Sequence, residues 1–186
     1  MGKSGLLVHN LSQSCNLFSK GYFGGDFNTP DAIYSTGEND RAEMVEARVC
    51  ETGQIRPSLP NPEGWDSKWN EGLGRGKARV ARCHLLGNQF KGAGAKNNLV
   101  PCCQTANHKM AKTENEIAEF IENYGCVDIL VTANYANKED TIPTSISITA
   151  KGMDCSKKKC TSFGVTVFNP KSLNLFDCKV AGAENG

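Results

Sequence analysis

Between residues 82 and 114 the chain gathers an imidazole, a guanidinium, two amides and a carboxyl: His84, Arg82, Asn98, Asn107 and Glu114. The imidazole of His84 titrates near neutrality, so it can accept a proton from water at physiological pH. Arg82, two residues earlier, is a permanent planar cation whose N–H groups suit an anionic oxygen. Glu114 follows Asn107 by seven residues, about 700° on a helix, so the two share one face. Glu116 lies about 180° from that stripe. The charge pattern points the same way. From Gly72 to Thr113 there is no Asp or Glu but eight Lys and Arg, whereas Glu38 to Glu71 holds eight acids against four bases. An acid-free basic stretch in a chain of net charge +1 marks a phosphate-facing surface, or else a solvated one, and charge alone does not choose.

The elements that must position these groups follow from pattern and punctuation. Ala78–Leu86 reads as a strand running into a Gly-rich turn, Gly87-Asn-Gln-Phe-Lys-Gly-Ala-Gly-Ala, where Gly87, Gly92 and Gly94 permit a sharp reversal. Gln104–Tyr124 reads as a helix: Met110, Ile117, Phe120, Ile121 and Tyr124 fall on one face, and Gly125 is a stop signal. Cys126–Ala136 and Ile142–Ala150 read as strands joined by Asn137–Thr141, with a further strand over Ser162–Phe168. Asp40–Cys50 leans to strand. Residues 1–37 read as loops with aromatic anchors, and three prolines with Gly64 and Trp65 make residues 53–76 a long irregular segment. Trp65 and Trp69 are expected to anchor that segment on the core rather than to stack on bases. The order of elements implies an α+β fold.

Composition sets the outer limits. A chain of 186 residues, 39% hydrophobic and 22% charged, is an ordinary globular protein expected to form one domain over residues 1–186. No apolar run approaches the ~20 residues of a membrane helix, so a spanning protein is not expected. The start lacks a signal-peptide core, Leu6 stands where a myristoylation signal needs Ser or Thr, and the end lacks a prenylation Cys. The expectation is a mature form or a piece of a longer polypeptide. Nine cysteines include no Cys-x-x-Cys pair, which disfavours a closed zinc site. Disulfides, Cys155–Cys160 first, and buried thiols for several of the rest are expected instead, with an odd count leaving at least one thiol free. His9 and His108 read as structural and surface residues, and Lys157–Lys159 as a solvated loop tip.

The segment Arg82-Cys-His-Leu-Leu-Gly, the Gly-rich turn, Asn98-Leu-Val-Pro, Gln104-Thr-Ala-Asn and the following Glu114 resemble, in that order, the core of the non-specific DNA/RNA endonucleases of the ββα-metal fold. The strand pair around Tyr135 and Ile142-Pro143 extends the resemblance to about residues 78–152, leaving residues 1–77 as a variable part. Two positions depart: Cys83 replaces the usual Gly, and Ala81 replaces an Asp of the longer motif.

The resemblance implies an antiparallel sheet and a metal-bearing central helix. It also implies hydrolysis of phosphodiester bonds in DNA, with RNA as a second substrate. His84 would be the general base and Arg82 the cation near the scissile phosphate or leaving group. Asn98 would support the site through hydrogen bonds. Asn107 would ligate a single Mg²⁺, with Mn²⁺ as a substitute, and Glu114 would hold its water shell. It further suggests a secreted or delivered antibacterial toxin domain held in check by a cognate immunity protein, with no membrane partner. Two rivals remain: a nuclease-like domain that binds nucleic acid without cutting, and a cysteine-rich zinc or disulfide module that binds protein.

Overall fold

The computed structural model describes residues 31–54, 58–71, 79–154, 159–170 and 178. Among these residues seven strands and one long helix follow in the order β1 (Asp31–Thr36), β2 (Ala42–Val49), β3 (Val80–His84), β4 (Leu99–Cys103), α1 (Gln104–Tyr124), β5 (Val127–Asn134), β6 (Ser145–Asp154) and β7 (Lys159–Phe168). The strands make a five-stranded antiparallel sheet in the order β1-β2-β5-β6-β7 and a separate pair, β3-β4. The fold is α+β.

The large sheet is built on strict alternation. Val45, Ala47 and Val49 of β2 face Val131, Ile129 and Val127 of β5. Val131, Ile129 and Ala133 in turn face Ile148, Ala150 and Ile146 of β6. All these side chains are buried, because a period of two sends every second residue to the same face. α1 lies on that face. Its buried stripe of Ala106, Met110, Thr113, Ile117, Phe120 and Ile121 repeats at the helical period, and Phe120 meets Phe163 edge-on at 5.5 Å. A side chain on Gly152 would strike the Phe120 ring, so glycine there lets the helix sit down on β6. Gly125, at φ 108°, ends the helix, its N–H closing onto the Ile121 carbonyl.

The helix occupies Gln104–Tyr124, the span that its periodicity predicts. Two strands were not expected. β1 falls within residues read as loop; it lacks a cleanly buried face and owes its conformation to pairing with β2. β4 is buried at every position and contains Pro101, so it shows neither alternation nor the usual strand composition. Pro101 stands opposite Arg82 in a pair with no further neighbour, which tolerates its missing N–H. No helix among the described residues is long and apolar enough to cross a membrane.

Three disulfides join Cys50 to Cys126, Cys83 to Cys102 and Cys103 to Cys178. Cys160 is also disulfide-bonded, while the expected partner Cys155 lies outside the described residues, as do Cys15, His9 and Lys157–Lys158. The expectation of plain buried thiols for several of the other cysteines is corrected: buried Cys83, Cys102, Cys103 and Cys178 are all bridged.

Candidate active site

The site grows from β3. A pleated strand puts Arg82 and His84 on one face and Cys83 on the other. Cys83 is fully buried and bridged diagonally to Cys102 of β4, since the register sets Ala81 against Cys102 and Cys83 against Val100. The cysteine that departs from the glycine of the resembled motif therefore serves the core and points away from His84.

His84 is half-buried. Its Nε2 is shielded from solvent and has no hydrogen-bond partner among the described residues. Burial lowers its pKa from the ordinary histidine value, which favours the neutral ring.

The loop after His84 is held from inside by Asn98. Its Oδ1 accepts from the Leu86 N–H at 2.8 Å, and its Nδ2 donates to the Leu86 and Ala93 carbonyls at 3.0 and 2.8 Å. The backbone adds Leu85 N–H to the Asn98 carbonyl at 2.9 Å, and Tyr34 of β1 accepts from the Ala93 N–H at 3.0 Å. Asn98 is fully buried, so it shapes the loop and cannot itself reach solvent-borne ligands. Gly92 is required for contact: a Cβ there would lie 1.8 Å from the Leu86 carbonyl oxygen.

The loop and α1 meet at Glu114. A side chain on Gly87 would collide with its carboxyl, and Gln89 donates to Glu114 Oε2 at 3.4 Å and to Asn115 Oδ1 at 3.3 Å. Burial raises the Glu114 pKa to about 7, the Gln89 contact opposing this only in part. Asn107 lies nearly two turns back on the same helical stripe and makes no side-chain hydrogen bond among the described residues. The helix N-terminus is tied to the start of β3 by Gln104 N–H to the Arg79 carbonyl at 2.7 Å.

Arg82 is gripped by the segment ahead of β3. Asn61 Oδ1 accepts from its Nε and Nη2 at 3.0 and 2.6 Å, and its guanidinium carbon lies 4.8 Å from the Trp65 ring centre. Trp65 and Trp69 pack against the core, as expected of anchors. His108 faces solvent and contacts Gln104 at 2.9 Å, the surface role expected of it.

Sequence reasoning overlooked Asn61, Asn88, Gln89 and Asn97. The Oδ1 atoms of Asn88 and Asn97 are, like His84 Nε2, buried without a partner among the described residues. The one signal available was the density of amides in residues 88–98.

These donors fit a hydrated hard cation. Among the described residues no three of His, Cys, Asp or Glu stand together, so an all-protein cage is not present. Among the described residues the candidate groups are an unengaged amide on Asn107, a desolvated carboxyl on Glu114 and an unpartnered imidazole nitrogen on His84. An ion using one amide oxygen, with an acid close by, keeps most of its water, as Mg²⁺ prefers. A hollow of about 360 Å³ beside residues 136–144 shares no lining residue with this site.

Residues 26–154, more than two thirds of the chain, match the family described as DNA/RNA non-specific endonuclease. The match reaches back through β1 and β2, well before the boundary near residue 78 that the motifs suggested. Among solved structures, NucA from Streptococcus agalactiae with magnesium bound is similar at 20% identity and TM-score 0.59, over 76% of this chain and 71% of that one. The Sda1 nuclease with bound zinc is similar at 16% identity and TM-score 0.57, over 75% and 74%. A chain described as an extracellular endonuclease is similar at 17% identity and TM-score 0.55, over 81% and 84%. No curated protein sequence matches at a significant level. The fold of these nucleases and the family match over most of the chain lead to one conclusion: this chain belongs to the DNA/RNA non-specific endonuclease family, whose members hydrolyse phosphodiester bonds.

Proposed function

We propose that this protein is a Mg²⁺-dependent endonuclease, Mn²⁺ substituting, that cuts DNA and also RNA without sequence preference. The observation that carries the reading is His84 on β3, its Nε2 buried with no hydrogen-bond partner among the described residues and its pKa lowered by burial. His84 takes the proton of the attacking water. Arg82 presents its guanidinium to the phosphate, where charge develops as the phosphorane forms. Asn107 would hold the metal and Glu114 its water shell, and the bound cation would supply charge stabilisation at the leaving oxygen. Asn98 acts at one remove by fixing the loop between His84 and Glu114. Residues 1–186 are read as one nuclease domain.

The disulfides and the extracellular relative favour action outside the reducing cytosol. A delivered toxin restrained by a cognate immunity protein is the narrower form of this reading. The test is digestion of supercoiled plasmid and of total RNA by wild type and His84→Ala, with Mg²⁺, Mn²⁺ or EDTA. Metal-dependent cleavage lost by at least about 100-fold in His84→Ala supports the assignment. Undiminished cleavage by the folded variant rejects His84 as the base, and no cleavage by folded wild type rejects the enzyme.

A further inference from the structure

We propose that Asn61 and Trp65 are positioning residues for Arg82, setting where the scissile phosphate is held. This rests on the nuclease reading above and adds to it a segment, residues 58–71, that lies outside the β3-β4-α1 core.

A guanidinium stabilises a transition state only where its N–H groups already point at the developing charge, because reorienting a flexible side chain during reaction forfeits the gain. Arg82 is fixed on two sides. Asn61 Oδ1 accepts from both Nε and Nη2, which sets the plane of the group, and the Trp65 ring supports one of its faces. Nη1 has no partner among the described residues. It is left on the edge suited to an anionic oxygen, on the strand face that Arg82 shares with His84.

The acceptor is also of the right kind. An amide oxygen orients the guanidinium without cancelling its charge, whereas a carboxylate at position 61 would form an ion pair and compete with phosphate. Asn61 is itself exposed, and its position comes from what lies around it. Trp65 N–H closes a turn onto the Pro62 carbonyl at 3.2 Å, with Gly64 at φ 73° inside that turn. Trp65 meets Trp69 edge-on at 5.3 Å. Asn70 then joins the segment to β3: its Oδ1 accepts from the Arg79 and Val80 N–H groups at 2.9 and 3.2 Å, and its Nδ2 donates to the Val80 carbonyl at 2.9 Å. The clamp and the strand bearing Arg82 are thus held together.

The experiment is a kinetic cycle with Mg²⁺ on a short duplex, using Asn61→Ala, Trp65→Leu, Trp65→Phe, Arg82→Ala and Asn61→Ala/Arg82→Ala. Asn61→Ala and Trp65→Leu should each lower kcat about 10-fold with KM changed less than about twofold, the scale of a hydrogen bond to a charged group. Trp65→Phe, which keeps a ring face, should stay within about threefold of wild type. In the Arg82→Ala background, Asn61→Ala should cost less than about twofold, because the group it positions is gone. Equal losses in both backgrounds, a loss confined to KM, or no loss overturns the proposal. If Trp65→Leu does not fold, the exposed Asn61 carries the test alone. Wild-type cleavage that His84→Ala abolishes, together with an indifferent Asn61→Ala, removes this inference and leaves the nuclease reading standing. An inactive wild type removes both.

Discussion

At the scale of single residues, the site mixes groups that would act with groups that hold. In the proposed reaction His84 and Arg82 would act on water and phosphate, whereas Asn98 spends its amide on the loop backbone. Asn98→Ala should cost about 2–4 kcal/mol, since it strands buried backbone groups of Leu86 and Ala93, and urea melts would measure it. The two titrating groups give opposite signs of pH dependence. A base must be unprotonated, and the His84 pKa is lowered, so the acid limb of kcat/KM should have its midpoint below pH 6.5. The Glu114 pKa is raised from 4.5 to about 7, so the folded protein holds that proton more tightly than the unfolded chain. Metal-free protein should therefore lose stability as pH rises from 4.5 to 7. Thermal melts should show this decline weakened in Glu114→Gln; an unchanged slope in the variant refutes the assignment.

At the scale of elements, the short pair β3-β4 is held by a covalent bridge as well as by hydrogen bonds. Cys83–Cys102 closes a loop containing the whole Gly-rich segment. Replacing both cysteines by Ala should cost about 3 kcal/mol by loop entropy, with activity falling as His84 loses its fixed strand. The variant's urea midpoint, measured beside its activity, checks both claims. α1 depends on a different contact. Gly152→Ala puts a methyl into the Phe120 ring and should cost about 1–3 kcal/mol, read as a lowered Tm. Helix and hairpin were legible in the sequence because each is announced locally, by the 3.6-residue stripe ending at Gly125 and by alternation around residues 137–141. β4 was not, because total burial erases alternation.

At the scale of the whole molecule, the two sheets are joined by α1 and by Asn169. That buried side chain accepts from the Cys103 N–H at 3.1 Å and donates to the Pro101 and Pro143 carbonyls at 3.2 and 3.1 Å. One residue past β7 thereby ties β4 to the β5-β6 connection. Charge acts at this scale too. The acid-free stretch around the site should make nucleic-acid binding fall steeply with salt, even though the net charge is only +1. His84→Ala protein binding a labelled duplex should lose at least about tenfold in affinity between 50 and 200 mM salt; a flat response contradicts a phosphate-facing surface.

The order of chemical groups, the helix with its Asn107–Glu114 face and the α+β class were all determined by the sequence alone, because each depends on local spacing, and spacing survives whatever the rest of the chain does. Partnerships across the chain were decided only by tertiary structure. Asn61 reaches Arg82 over 21 residues, Cys83 chooses Cys102 rather than its neighbour Cys103, and Asn169 reaches back to Pro101. Register and packing set such contacts, and neither leaves a period or a composition to read. The same holds for protonation: His84 and Glu114 carry ordinary groups, and only the low-dielectric contact of loop against helix moves their pKa values in opposite directions.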